Sequence, residues 1–383
     1  MSILKGVRIV DLSRVLAGPF ATMILADLGA EVIKVEPPGG DETRGWGPPY
    51  MADGMSAYFL TVNRGKRSII VDFNDDKALM SLKQLIRTAD VLVENFKPGT
   101  LKRWGLDWET LKLEHPALIY ASISGFGHSG PEKERPGYDF VVQAMGGLMT
   151  ITGQPDGPPL KVGVAVSDLA AGLYTVIGIL SALLERIQSG LGQHVDISLL
   201  DATVTLLANT ALNFLVSGEE PKRYGNAHPN IVPYEAFEAE DGLIVIAIGN
   251  DRQFRLFCQV IGRPELAEDP AYVRNRDRVV HRKALIQTIS AVLKTKPART
   301  WENMLRQAGI PAGRVNAFGD LFRHPQILAR EMVTVLEHPV LGAIPQLGSA
   351  LKLSRTPVTF GAPPPLPGEH TEEILAELWD EGK

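Results

Sequence analysis

The chain has 383 residues, 45% of them hydrophobic and 22% charged, with a formal net charge of −5 at pH 7. This is the composition of an ordinary soluble globular protein, long enough for two domains or for one large α/β domain with an insertion. The net negative charge excludes a bulk field drawing the chain to nucleic acid or to an anionic membrane, so any anionic ligand must be held by local basic clusters.

The first 125 residues alternate between strand and helix. Short apolar, β-branched runs predict strands at Val7–Leu12, Glu31–Val35, Ser68–Phe73, Val91–Asn95 and Leu118–Ile123. Helical periodicity lies between them at Phe20–Leu28, with Pro19 in its first turn and Gly29 as its stop, and again at Lys77–Thr88. Alternation of this kind builds a parallel sheet with helices on both faces, and such sheets take ligands beyond the carboxyl ends of their strands. Asn95, the loop Lys97-Pro-Gly99 and Gly125 lie at such ends. Arg64, Lys66 and Arg67 crowd the start of one strand, and Lys97, Lys102 and Arg103 form a second basic cluster. Each cluster reads either as solvated surface or as a holder of phosphates on a large anionic cofactor.

Gly125-Phe-Gly-His-Ser-Gly130 has the spacing of a dinucleotide fingerprint, but Pro131 and Pro136 follow it, so no helix opens there to hold a pyrophosphate. Nicotinamide is therefore not expected, and the glycines read as a flexible loop at a site. The eight histidines are scattered without ligand spacing, so no metal is expected either. A G-x-S-x-G elbow is absent.

Asp168 stands in Lys161-Val-Gly-Val-Ala-Val-Ser-Asp-Leu-Ala-Ala-Gly172, where an apolar stretch enters a long helix. Ser167 is the predicted N-cap, which puts Asp168 in the first turn facing the positive end of the helix dipole, an effect of about 0.3–1 kcal/mol in favour of the anion. A carboxylate so placed either decorates a helix start or acts as a nucleophile, and the local sequence leaves both open. The apolar run 173–184 predicts a buried helix, shorter than the roughly 20 residues of a bilayer span, so no membrane partner is expected.

Past residue 220, Pro221–Pro229 reads as a loop. Strands are predicted at 236–239 and 243–248, and helices at about 252–262, 278–295 and 299–308. The tail adds short strands at 333–337 and 351–353 and a helix at 371–379, with Pro363-Pro-Pro-Leu-Pro367 as a stiff surface linker. The domain reading is 1–200 for the first part of a large domain, 201–224 for a linker helix and loop, 225–320 for a small α+β domain, and 321–383 for the return linker and completion of the large domain. The single cysteine, Cys258, lies in an apolar helical pattern and permits no intrachain disulfide, which fits a reducing compartment. With no charged-then-apolar leader before the first strand, a cytoplasmic location is expected.

Several longer motifs occur in a fixed order: Arg14-Val-Leu-Ala-Gly-Pro-Phe20, Leu28-Gly-Ala-Glu-Val-Ile-Lys-Val-Glu36, Asn63-Arg-Gly-Lys-Arg-Ser68, Val93-Glu-Asn-Phe-Lys-Pro-Gly99, Ser122-Ile-Ser-Gly-Phe-Gly127, Asp168 and Gly368-Glu-His-Thr371. Through essentially its whole length the chain resembles the family III CoA-transferases, a group that includes formyl-CoA transferase, carnitine CoA-transferase and α-methylacyl-CoA racemase. The resemblance implies a Rossmann-like large domain built from both chain ends, a small domain in the middle, and a homodimer of interlocked chains. It implies Asp168 as the catalytic carboxylate. Contacts to coenzyme A would come from Val71, Asp72, Phe73, Asn74, Asn95, Phe96, Lys97, Arg103 and the turn Pro136, Gly137, Tyr138, Asp139. It further implies acyl-CoA and a small carboxylate as the partners, with Arg14, Leu16, Gly125 and Gly127 near the substrate. Racemases of the group carry a histidine where this chain has Tyr138, and a phenol, with its ordinary pKa of about 10, is a poor base for an α-proton, which favours transfer. Formyl-CoA transferases carry glutamine at the position of Leu16, which argues against oxalate. Arg14-Val-Leu-Ala-Gly-Pro, Tyr224-Gly-x-Ala-His228 and Ile231-Val-Pro-Tyr234 look most like the dicarboxylate, succinyl-CoA:glutarate, branch. A dicarboxylate leaves one carboxylate free, and Arg14 is the expected clamp for it, with a plain salt bridge as the other reading.

Overall fold

The computed structural model describes residues 2–51 and 54–381. Six parallel strands, β1 (Arg8–Asp11), β2 (Glu31–Glu36), β3 (Lys66–Ile70), β4 (Val91–Glu94), β5 (Ile119–Ser124) and β6 (His194–Ser198), form one sheet in the order β3-β2-β1-β4-β5-β6. Five of these strands lie where the apolar runs predict them. The central strands are buried on both faces, which is why apolar residues stand at consecutive positions in them rather than alternating, with Lys34 and Ser122 as buried polar exceptions. Ile9, Val32, Val91, Val93, Ile119 and Ala121 point into one core, and Val10, Ile33, Leu92 and Tyr120 into the other. The sequence reading missed β6, where His194, Asp196 and Ser198 break the apolar run at the edge of the sheet.

Helix α1 (Ala17–Asp27) follows β1, α2 (Ala57–Thr61) precedes β3, and α3 (Asp76–Arg87) and α4 (Trp108–Glu114) flank β4. The short α5 (Asp139–Met145) and the single turn α6 (Leu148–Ile151) lead to α7 (Val166–Ser189), and α8 (Leu199–Leu206) follows β6. Only one face of α7 is buried: Ala170, Ala171, Gly172, Thr175, Val176, Ile179 and Ala182 pack inward, while Leu173, Ile177, Leu184 and Ile187 are exposed. The expectation of a buried helix therefore holds for one face and fails for the other. The helix extends beyond the apolar run 173–184 at both ends, and its 24 residues have the length and hydropathy of a membrane span.

The chain divides into two compact units, Met1–Leu148 with Lys161–Ala208 and Pro325–Lys383, and Met149–Leu160 with Asn209–His324. The expected boundaries shift in two places. Residues 149–160 group with the second unit, where Arg223 donates to Gln154 O at 3.2 Å and to Gly157 O at 2.7 Å. Residues 201–208, expected in a linker, stay with the first unit because Ala202 and Thr203 are buried and Thr203 Oγ1 donates to Ser167 Oγ at 2.8 Å. In the second unit an antiparallel sheet of β7 (Tyr234–Glu238), β8 (Leu243–Ala247) and β9 (Ala312–Arg314) carries a core of Phe237, Ile244, Phe254, Phe257, Cys258, Leu285 and Trp301. The single helix expected over 278–295 is two, Asn275–Val280 and Arg282–Leu293.

In the tail, β10 (Val333–His338) pairs with β11 (Gly342–Leu347), and Leu351–Leu353 is not a strand. Pro364 and Pro365 are buried, and Pro365 O accepts from Arg44 Nη1 at 3.0 Å, so this stretch is not a surface linker. The first basic cluster belongs to the fold. Arg64 pairs with Asp27 at 2.7 Å and Lys66 with Asp11 at 3.1 Å, all four buried, and Arg67 pairs with Glu31, Glu373 and Glu377. Neither solvation nor phosphate binding describes it.

Candidate active site

The strand order puts β1 beside β4, while the chain leaves β1 toward β2 and β4 toward β5. The loops beyond their carboxyl ends diverge and leave a crevice, the place where open α/β sheets take ligands. After β1 the backbone bends sharply at Val15, whose φ is +69°, a conformation that β-branched residues avoid. Neighbouring groups fix it. Arg14 N donates to Asn95 Oδ1 at 2.9 Å, Asn95 Nδ2 donates to Arg14 O at 2.7 Å, and Lys34 Nζ donates to Ser13 O at 3.0 Å. Backbone strain held in this way is a mark of functional loops.

A cleft of about 180 Å³ opens here, lined by Arg14, Val15, Leu16, Asn95, Phe96, Lys97, Gly125, Arg135, Pro136, Gly137, Tyr138 and Asp168. A larger cavity of about 610 Å³ is lined by Val71, Asp72, Phe73, Asn74, Phe96, Arg103 and Trp104, and Arg14, Glu42 and Phe96 line both. The predicted site residues therefore gather around two adjoining cavities, with two exceptions. Gly127 N–H is bonded to Ser124 Oγ at 2.9 Å, and the next amide, His128 N–H, to Asp196 Oδ2 at 2.9 Å. Asp139 turns its carboxylate to Ser167 N at 2.9 Å and Gln143 Nε2 at 2.7 Å rather than to a cavity. Gly125 and Gly137 are where the two legs of their loop touch, since a Cβ on Gly125 would stand 2.7 Å from Gly137 Cα.

Asp168 lies in the first turn of α7, but the N-cap is Ala165, not Ser167, and no side chain of the cap residue bonds the helix start. Burial pushes the Asp168 carboxyl up to about 7, and the negative charge of Asp139 adds to the rise. The helix dipole, expected to favour the anion, is outweighed by desolvation. Leu16, Val62, Leu169 and Tyr58 form an apolar cluster that includes the position argued against oxalate. The sequence reading missed Tyr58, whose hydroxyl is pushed up to about 12 by burial and by the carboxylates of Asp168, Asp139 and Asp41, and Trp46, whose ring meets Tyr58 edge-on at 5.3 Å. It also missed Glu42, 3.5 Å from Arg14 Nη1, and Arg135. No local pattern marks these residues, because Glu42 and Arg135 reach the cleft wall, and Tyr58 the charge of Asp168, only through long-range contacts. Among the described residues no three His, Cys, Asp or Glu side chains are grouped to hold a metal ion.

A doubly wound α/β protein with a desolvated carboxylate beside its switch point is the class that fold and site define. The sequence profile of CoA-transferase family III matches residues 4–371. The chain is 45% identical to a succinate–glutarate CoA-transferase of Agrobacterium fabrum, over 98% of this chain and 95% of that one. It is 46% identical to a succinyl-CoA:glutarate CoA-transferase of Mus musculus, over 100% of this chain and 88% of that one. The crystal structure of a CAIB/BAIF family protein from Brucella suis superposes with a TM-score of 0.88 at 45% identity, covering 98% of this chain and 99% of that chain. The chain belongs to CoA-transferase family III.

Proposed function

We propose that the protein moves coenzyme A from succinyl-CoA to a short dicarboxylic acid of the glutarate kind, with Asp168 as the covalent carrier. One observation carries the reading: the raised, desolvated Asp168 carboxyl lines the cleft at the switch point, in a chain with the sequence likeness just described.

The two cavities divide the work. The nucleotide end of coenzyme A occupies the larger one, where Arg103, stacked over Trp104 at 3.6 Å, offers a fixed guanidinium to phosphate. The pantetheine arm passes Phe96 and Arg14, and the thioester reaches Asp168. The ionised Asp168 oxygen attacks the thioester carbonyl, giving a mixed anhydride and the coenzyme A thiolate. The thiolate attacks the aspartyl carbonyl, forming an aspartyl thioester and releasing the first acid as its carboxylate. The incoming carboxylate attacks that thioester and expels the thiolate. The thiolate then attacks the acceptor's carbonyl in the new anhydride, which restores Asp168. One thioester replaces another, so no external energy source enters the balance. Because Gly127 and His128 amides are already bonded, oxyanion stabilisation falls to donors elsewhere around the cleft.

The partners follow from the same reading. A second copy of the chain covers the exposed apolar stripe of α7, as the interlocked dimer of the family resemblance implies. The cytoplasm, where succinyl-CoA and small acids meet without oxidising conditions, is the proposed location.

The test is an acceptor screen with purified protein and succinyl-CoA, reading new CoA esters by mass, with hydroxylamine trapping of Asp168 in parallel. Glutaryl-CoA formation and a modified Asp168 peptide are expected. Deuterium exchange at an α-carbon with no trapped Asp168 would assign the racemase chemistry instead, and an oxalyl-CoA product without glutaryl-CoA would overturn the acceptor.

A further inference from the structure

Helix α7 begins with its carrier carboxylate in the first turn, yet Ala165, its N-cap, has no side-chain acceptor. The missing acceptor comes from α5. Asp139 Oδ1 accepts from Ser167 N at 2.9 Å and Asp139 Oδ2 accepts from Gln143 Nε2 at 2.7 Å, while Gln143 Oε1 accepts from Val162 N at 2.9 Å. Gln143 is fully buried. Ser167 is tied a second time through its hydroxyl, which accepts from Thr203 Oγ1 at 2.8 Å. Asp139 and Gln143 thus brace both the segment that enters α7 and its first turn.

We propose that Asp139, held in place by Gln143, is the positioning residue for Asp168, capping the start of α7 from a neighbouring helix and setting both the direction and the charge environment of the carrier carboxylate. The inference rests on Asp168 being the carrier. Its physical basis is that a cap supplied by the protein's own backbone partner would fix only the helix, whereas a carboxylate also places a negative charge beside Asp168. Other ionisable groups look toward Asp168 or its cleft: Tyr58 from α2, and Arg14, Glu42, Lys97 and Arg135 along the cleft walls. After burial, Asp139 is the group that raises the Asp168 carboxyl. A carboxylate held high is a stronger nucleophile once ionised, and it ionises within the neutral range, so the same contact tunes reactivity and fixes geometry.

The experiment compares wild type, Asp139→Asn and Asp139→Ala in succinyl-CoA to glutarate exchange across the neutral pH range, with trapping at Asp168 as a second readout. Asparagine retains an acceptor for Ser167 N–H but loses the charge, and alanine loses both. The acid limb of kcat/KM is expected to move to lower pH in both variants, though not to that of an ordinary aspartate, because burial remains. Alanine is expected to lower kcat by about 100-fold, the scale of a small misplacement of a reacting group, with asparagine within about tenfold of wild type. KM for succinyl-CoA, set largely by the other cavity, stays within about threefold. An acid limb in Asp139→Asn that coincides with wild type, or equal kcat in the two variants, would overturn the proposal. If the alanine variant does not fold, the limb of the asparagine variant decides alone. A wild type that turns over with no adduct on Asp168 removes the premise instead, so the two failures are told apart.

Discussion

At the residue scale, a site of this kind carries a cost in stability that can be measured. The Asp168 carboxyl sits at about 7 in the folded protein against an ordinary value of 3.8. The folded state therefore binds its proton more tightly than the unfolded state. Its contribution to stability is complete below the unfolded value and is lost as pH rises toward the folded one. Above that, the native state keeps a partly desolvated charge. Asp168→Asn removes the charge at nearly constant shape. The variant is expected to melt with wild type near pH 4 and about 3–6 °C above it near pH 8, while losing exchange activity. Thermal denaturation at the two pH values checks this; a gain that is equal at both would mean that the carboxyl is not held high. Arg14 makes a second residue-scale prediction. Its side chain is half exposed and its nearest acid, Glu42, is 3.5 Å away, a geometry too loose to be a structural bridge of consequence. Arg14→Ala is expected to raise KM for glutarate by about tenfold or more, the scale of one charge-assisted hydrogen bond, and to leave a monocarboxylate acceptor nearly unchanged. Equal losses for both acceptors would remove the clamp.

At the scale of elements, the position of Asp168 depends on how α7 crosses α1. Gly172, one turn beyond Asp168, makes that crossing close: a Cβ there would stand 2.8 Å from Ala17 O and 2.9 Å from Phe20 Cδ1. Backbone oxygen cannot yield as a side chain does, so Gly172→Ala pushes the two helices apart. The expected cost is about 1–3 kcal/mol of stability, with kcat lowered by up to about 100-fold because the carrier shifts with the helix. Urea unfolding and steady-state kinetics check this, and a variant with wild-type kcat would show that the helix start is fixed by α5 alone. The same elements show what the sequence made legible. Strands β1 to β5 could be read because each keeps a short core of apolar or β-branched residues, Ile9-Val10, Val32-Ile33, Ile69-Ile70, Val91-Leu92-Val93 and Ile119-Tyr120-Ala121, even where a charge or hydroxyl stands beside it. β6 could not, because His194 and Asp196 interrupt its pattern. The β10–β11 hairpin was half legible, since Gly342 and Pro345 break the alternation in its second strand. At the site, Asp168, Arg14, Phe96 and Arg103 could be picked out from motif order. The link from Asp139 to Ser167 could not, because a cap that reaches across 28 positions leaves no local signature.

At the scale of the whole molecule, α7 presents an apolar stripe to solvent. Leu173, Ile177, Leu184 and Ile187 recur at helical spacing on its outer face, and Ile187 is 81% exposed. Phe140 and Met145 of α5 are exposed as well. Contiguous apolar surface of this kind marks an interface, and the occupant proposed here is a second copy of the same chain. If the two copies interlock, their association cannot be undone by dilution without unfolding. Sedimentation is then expected to find a dimer at every concentration that can be detected, and a stable, active monomer would overturn the assembly. Chemical labelling places the interface on α7 itself. Cys258 is fully buried, and burial pushes its thiol up to about 12, so it reacts slowly with maleimide in the native protein. A thiol introduced by Ile187→Cys is then the reporter. In a free chain it would label at the rate of an exposed cysteine. Beneath a partner it is expected to label at least about tenfold more slowly and to recover its full rate in denaturant, because the reagent reaches the thiolate only when the interface opens. Fast labelling in a protein that still sediments as a dimer would move the interface off this helix, leaving its apolar face without the partner assigned to it.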